Sequence, residues 1–139
     1  MSGIRRSLHG LILVCAALAG CASNQYPGTP EDAPRMLGEG DAARPIELAR
    51  GKRITLRLEA NHSAGYRWSL AASGDAGLEQ IGEPFYAAEK SAAGSGGAEY
   101  WTFRAVSSGK KELRFAYRRP WETDKPPARE LSYSVSVGP

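Results

Sequence analysis

Hydrophobic and polar residues alternate with a period of two along most of the chain after residue 44. In the clearest stretch, from Lys52 to Ala60, Ile54 and Leu56 share one face while Thr55 lies on the other. This alternation is typical of half-buried strands. It recurs in eight segments, near residues 45–48, 52–60, 66–70, 77–81, 85–89, 98–106, 111–118 and 131–137. No later window of ten residues carries a helical stripe, so the pattern predicts an all-β antiparallel sandwich of seven or eight strands.

The N-terminal segment has the features of an export signal. Arg5 and Arg6 form a basic start, and the apolar run at residues 11–19 is too short to span a bilayer. The run ends in Leu18-Ala19-Gly20-Cys21, which resembles the lipobox of bacterial lipoproteins. We therefore expect residues 1–20 to be a lipoprotein signal peptide and Cys21 to carry lipid such as palmitate. An ordinary secretory signal, with Cys21 left as a free thiol, is the alternative.

Residues 21–43 contain three prolines and few large apolar side chains, which predicts a lipidated flexible tether. Residues 44–139 then form the folded domain. The other cysteine, Cys15, leaves with the signal, so the domain has no disulfide and depends on its core. Loss of the two signal arginines lowers the formal charge from +3 to +1, which removes the electrostatic support for nucleic-acid binding.

Three short motifs lie where one strand pattern stops and the next begins. Asparagine and glycine favour tight turns, and glycine also lets a backbone approach a partner closely. Proline ends a strand, and a tryptophan beside it in a polar loop has no apolar sequence neighbours to cover it. The motifs are Asn61-His62-Ser63-Ala64-Gly65 with Tyr66 and Trp68 after it, Gly94-Ser95-Gly96-Gly97, and Arg119-Pro120-Trp121.

Together the motifs resemble the three binding loops of the chagasin family, proteinaceous inhibitors of papain-like cysteine proteases. The family pattern Asn-Pro-Thr-Thr-Gly, followed by Tyr-x-Trp, is kept here at its ends, while His62, Ser63 and Ala64 replace its centre. The resemblance covers residues 44–139 and implies an immunoglobulin-like sandwich with all three loops at one pole. It also implies that the first loop covers the protease's catalytic Cys–His pair, with Trp121 and Arg119 on one wall and residues 94–97 on the other.

Each motif also has an ordinary structural explanation. The first is compatible with a simple turn between strands, and the second with a loose hairpin. A phosphate-binding loop is excluded at the second motif, because a strand rather than a helix follows it. In the third, Trp121 either anchors a partner or folds back onto the edge of the sandwich.

The sequence predicts a binding protein with no cofactor rather than an enzyme. Catalysis by His62 and Ser63 requires an orienting carboxylate and an oxyanion hole. One mature histidine does not supply the three or four ligands that zinc needs. We expect a monomeric inhibitor, anchored through Cys21 to the outer membrane of a bacterial envelope and facing the periplasm. The alternative is a non-inhibitory envelope lipoprotein that uses the same loop edge to bind a peptide or another envelope protein.

Overall fold

The structure is a computed structural model that describes residues 33–73, 77–89 and 94–139. The predicted signal peptide, Cys21 and the first part of the predicted tether lie outside these ranges, as do residues 91–93 before the second motif. The described ranges contain nine strands: β1 (Arg35–Leu37), β2 (Ile46–Ala49), β3 (Arg53–Ala60), β4 (Arg67–Ser73), β5 (Leu78–Gln80), β6 (Phe85–Ala88), β7 (Gly97–Ala105), β8 (Gly109–Arg118) and β9 (Arg129–Gly138).

The strands form two sheets, which confirms the predicted β-sandwich. One sheet has the order β1-β3-β7-β5, with β6 also pairing with β7, and the other has the order β2-β9-β8-β4. The long pairs β3–β7, β4–β8 and β8–β9 are antiparallel. The edge pairs β1–β3 and β2–β9 are parallel, which the prediction of an antiparallel fold missed. Parallel pairing is possible because neither pair is joined by a hairpin: β2 of the other sheet lies between β1 and β3, and β2 and β9 lie at opposite ends of the folded part.

The core lies between the sheets and follows the predicted alternation. Leu56 and Leu58 of β3 and Leu113 of β8 are fully buried. Phe115 is the centre of an aromatic cluster, in which its ring makes edge-to-face contacts with three others: Trp101 at 5.2 Å, Phe103 at 6.2 Å and Tyr133 at 6.2 Å between centroids. Such contacts add to the hydrophobic stabilisation of a domain without disulfides.

The folded part begins earlier than the predicted boundary at residue 44. The strand β1 pairs with β3, and a 3-10 turn follows at Glu39–Ala43. Leu37 is buried in the core, and the Glu39 carboxylate accepts a hydrogen bond from the backbone amide of Glu59 at 2.8 Å and pairs with Arg129. The tether prediction is therefore wrong for residues 35–43. Three residues are too short for an alternation pattern, so β1 gave no signal in the sequence.

Strand register brings the three motifs to one pole. In the first sheet Ala60, the last residue of β3, lies opposite Gly97, the first residue of β7. In the second sheet Arg67 at the start of β4 lies opposite Arg118 at the end of β8. The loops that follow β3, precede β7 and follow β8 consequently leave the sandwich at the same end.

Candidate functional site

The first loop is a closed turn stabilised by its own asparagine. Asn61 caps the 3-10 turn His62–Ala64, and its Oδ1 accepts hydrogen bonds from the Ala64 amide at 3.1 Å and from Ser63 Oγ at 2.6 Å. Gly65 ends the turn in the left-handed region, with φ of +84°, and its amide donates to the His62 carbonyl at 3.0 Å. These bonds make a compact tip on which Ser63 and Ala64 are exposed.

Tyrosines fix the base of this loop to the core. The amide of Asn61 donates to the hydroxyl of the buried Tyr117 at 2.7 Å. The ring of Tyr117 also contacts both aromatic rings of the Tyr-x-Trp segment, with its centroid 5.1 Å from that of Tyr66 and 4.8 Å from that of Trp68. The residues at both ends of the loop therefore contact the same buried side chain, that of Tyr117.

The second loop lies directly beside the first. Asn61 Nδ2 donates to the Gly94 carbonyl at 3.5 Å, and the Glu89 amide donates to the Gly96 carbonyl at 2.9 Å. Gly96 has φ of +84°, and a Cβ there would lie 3.2 Å from the Ala60 carbonyl oxygen. A Cβ at Gly97 would overlap the backbone of Ala87. The glycines are thus required where the strands β3, β6 and β7 crowd together.

The third loop contacts the first from the other side. Arg119 Nε donates to the Ala64 carbonyl at 3.1 Å, and its guanidinium lies 4.8 Å from the centroid of the Tyr66 ring. Pro120 is exposed, and Trp121 is 67% exposed. The Trp121 ring nevertheless has a defined place, because a Cβ added to Gly65 would lie 2.5 Å from its Cη2 atom. The indole therefore lies over Gly65 with most of its surface open to a partner.

A short ion-pair chain holds the remainder of the third loop. Arg119 Nη1 lies 3.6 Å from the Glu122 carboxylate, which also accepts a hydrogen bond from Lys125 at 3.1 Å. The hydrogen bond from Lys125 lowers the pKa of Glu122. The carboxylate therefore stays ionised at neutral pH and links the two cations.

The side chains of His62 and Ser63 face different partners. His62 Nε2 lies 2.8 Å from Glu99 Oε1, and its ring stacks on Tyr86 at 3.6 Å between centroids. The Ser63 hydroxyl instead donates to Asn61. A serine nucleophile must hydrogen-bond to its base, and this arrangement directs the hydroxyl away from the imidazole. The His62 side chain points inward, since it hydrogen-bonds to the buried Glu99 and is 22% exposed.

Glu99 is the main feature of the site that the sequence reasoning missed. It is 4% exposed, and its carboxylate accepts hydrogen bonds from the Trp68 amide and from Trp101 Nε1, both at 3.1 Å, besides its contact with His62. The signal was present in the sequence, since Glu99 shares the inward face of β7 with Trp101 and Phe103. A charged residue at an inward position indicates a buried polar network.

No group of three or more histidine, cysteine, aspartate or glutamate side chains comes together among residues 33–73, 77–89 and 94–139. The part of the chain that the structure describes also has no helix of the length and apolarity needed to cross a bilayer.

Comparison with known proteins agrees with this geometry. The family model described as chagasin family peptidase inhibitor I42 matches residues 47–137. Amoebiasin-2 of Entamoeba histolytica is 26% identical over 105 residues, which cover 73% of this chain and 84% of that protein.

Two solved structures have the same fold. The crystal structure of the cysteine protease inhibitor EhICP2 from Entamoeba histolytica has a TM-score of 0.67 at 24% identity, covering 79% of this chain and 100% of that one. The solution structure of amebosin has a TM-score of 0.60 at 28% identity, covering 76% and 100%. The motifs, the sandwich and the family match lead to one assignment: this chain belongs to the chagasin family of peptidase inhibitors.

Proposed function

We propose that this protein inhibits papain-like cysteine proteases by inserting its three-loop edge into the active-site cleft. The observation that carries the proposal is the single rim formed by the tip Asn61–Gly65, the glycine-rich loop 94–97 and Trp121 with Arg119. Its loops are joined by the bonds from Asn61 to Gly94 and from Arg119 to Ala64. A rim of this kind buries about 1,600 Å² in total with its partner, as protease–inhibitor interfaces do.

The tip has a backbone suited to blocking rather than to being cleaved. The residues between Asn61 and Gly65 form a 3-10 turn closed by a left-handed glycine, so they do not present an extended segment. Hydrogen bonds within the turn keep Ser63 and Ala64 in place before any partner binds, which lowers the entropy lost on binding. The protein acts by occupying the cleft and is not itself an enzyme.

The two side loops contribute different kinds of contact. Trp121 has the size and exposure of a binding anchor, and truncation of such residues typically costs about 2 kcal/mol or more of binding free energy. The loop 94–97 has no large side chains, so its backbone is able to lie close against the opposite wall of the cleft.

Titration of papain activity with the mature protein tests the proposal. We expect reversible, saturable inhibition that weakens about 30-fold or more in Trp121→Ala. The matched control is Phe85→Ala, since Phe85 is 66% exposed but lies on the outer face of β6, opposite Tyr100. The control should inhibit like the wild type. Absence of inhibition at micromolar protein would contradict the proposal and favour the non-inhibitory envelope lipoprotein.

We also propose that lipid on Cys21 anchors the protein in the bacterial envelope, at the outer membrane and facing the periplasm. Since β1 is parallel to β3 and pairs with its first half, the chain enters the sandwich at the pole opposite the three loops. Anchoring from that end leaves the rim pointing away from the membrane. Labelled palmitate should enter the wild type and not Cys21→Ser, and only the wild type should sediment with membranes. A wild type that stays soluble and unlabelled would overturn the anchor.

A further inference from the structure

The first loop contains one side chain that does not belong to its exposed surface. His62 is the first residue of the 3-10 turn, directly after the capping Asn61. Its ring lies parallel to that of Tyr86, with 9° between the planes, and its Nε2 hydrogen-bonds to Glu99. The imidazole therefore fastens the tip to two strands of the first sheet, β6 through Tyr86 and β7 through Glu99.

The acceptor of this bond is itself held in place. Glu99 Oε1 receives the Trp68 amide and Oε2 receives Trp101 Nε1, so the carboxylate has little freedom to turn. A buried carboxylate is stabilised by each donor that it gains. Because both Tyr86 and Glu99 are fixed by the sandwich, the position of the His62 ring determines where the tip begins.

We infer that His62 is a positioning residue, which holds Ser63 and Ala64 in their binding geometry without touching the protease itself. A proline at position 62 is another way to make the backbone of the tip rigid. The first position of a helical turn accepts proline, whose fixed φ restricts the backbone directly and whose missing N–H is not needed there. This chain instead has a side chain that is anchored on Tyr86 and Glu99. The consequence for inhibition rests on the proposed function, while the consequence for loop order does not.

Two substitutions of His62 distinguish a role in positioning the tip from direct contact with the protease. His62→Ala removes both the stacking and the hydrogen bond, whereas His62→Pro removes the ring but supplies backbone stiffness. Backbone amide order parameters of Ser63 and Ala64 in the free protein should fall from about 0.85 to below about 0.6 in His62→Ala and recover in His62→Pro. Inhibition of papain should weaken about tenfold in His62→Ala and return to within about threefold of the wild type in His62→Pro.

Substitution of Tyr86 tests whether its stacking with His62 holds the tip in place. Tyr86→Leu keeps apolar volume but removes the stacked ring, so it should reproduce much of the effect of His62→Ala. In the His62→Pro background, Tyr86→Leu should have no further effect on the tip, which is the non-additivity expected of residues that act as one unit. Thermal unfolding of every variant separates these local changes from loss of the fold.

Specific results for the His62 variants would contradict the positioning role. If His62→Pro is as weak an inhibitor as His62→Ala while its tip remains ordered, His62 contacts the protease directly and the inference is wrong. It is also wrong if His62→Ala leaves the order parameters unchanged. If the wild type does not inhibit papain, the proposed function fails, but the order parameters of the free protein still decide whether His62 fixes the tip.

Discussion

Gly65 provides the sharpest test of how the first and third loops depend on each other. Its φ of +84° lies in the left-handed region, where a residue with a Cβ costs about 1–2 kcal/mol more than glycine. A Cβ would also lie 2.5 Å from Trp121 Cη2, which is closer than real Cβ contacts come. Gly65→Ala therefore has two separate effects, strain in the backbone and displacement of the indole.

Gly51 separates these effects, because it has the same φ of +84° and a Cβ there would meet nothing within 4 Å. It lies at the opposite pole, where its amide donates to the Ala105 carbonyl at 2.8 Å. We expect Gly51→Ala and Gly65→Ala to lose about 1–2 kcal/mol of unfolding free energy each. Each kilocalorie lowers the melting temperature of a domain this size by about 4–8 °C.

Gly65→Ala and Gly51→Ala should differ clearly in how tightly they inhibit papain. If the displaced Trp121 loses about 2 kcal/mol of binding free energy, inhibition by Gly65→Ala weakens about 30-fold. Gly51→Ala should inhibit like the wild type despite its lower stability. Chemical denaturation and papain titration on the same preparations measure both quantities. The reasoning is refuted if Gly65→Ala inhibits as tightly as Gly51→Ala, because the indole position would then not matter for binding.

Two further predictions concern stability. Glu99→Ala leaves the Trp68 amide and the Trp101 indole without their acceptor, so it should lose about 3 kcal/mol of unfolding free energy in chemical denaturation. The control is Glu112→Ala, which removes a carboxylate whose side chain is 46% exposed and should leave the unfolding free energy nearly unchanged. Equal losses in the two variants would contradict the buried network. Burial raises the pKa of Tyr133 to about 12, from 10.0 in an unfolded chain. The unfolded state therefore gives up this proton first, so stability should be complete below pH 10 and fall by about 2 kcal/mol towards pH 12. Tyr133→Phe should remove most of that fall, and an unchanged alkaline loss would disprove it.

The sequence predicted the core because the core depends on alternation alone. Tyr133 and Val135 of β9 alternate with serines, and both are fully buried. The exposure of Trp121 has an equally local basis, since the loop around it is polar. The sequence left open whether its ring folds back onto the sandwich, and it is 67% exposed. Where neighbours in sequence decide the environment, a pattern of residues is sufficient.

Contacts between residues that are far apart in the sequence could not be predicted from such local patterns. Nothing near His62 in the sequence shows that its ring reaches Tyr86 and Glu99, which follow it by 24 and 37 positions. The same holds for the strand β1, because Leu37 is buried where β1 pairs with β3, and the sequence around Leu37 does not indicate that pairing. These contacts depend on how strands from separate parts of the chain pair within the first sheet, and single-strand periodicity does not describe that pairing.

The contacts of the first loop explain how its changed centre remains compatible with the fold. The ends of the first motif have fixed tasks: Asn61 caps the turn and donates its amide to Tyr117, and Gly65 takes the left-handed conformation beneath Trp121. The positions between them need only keep the turn closed, and His62 does so through its side chain. The fold therefore accepts a centre other than Pro-Thr-Thr here, because the His62 side chain fixes the first residue of the turn.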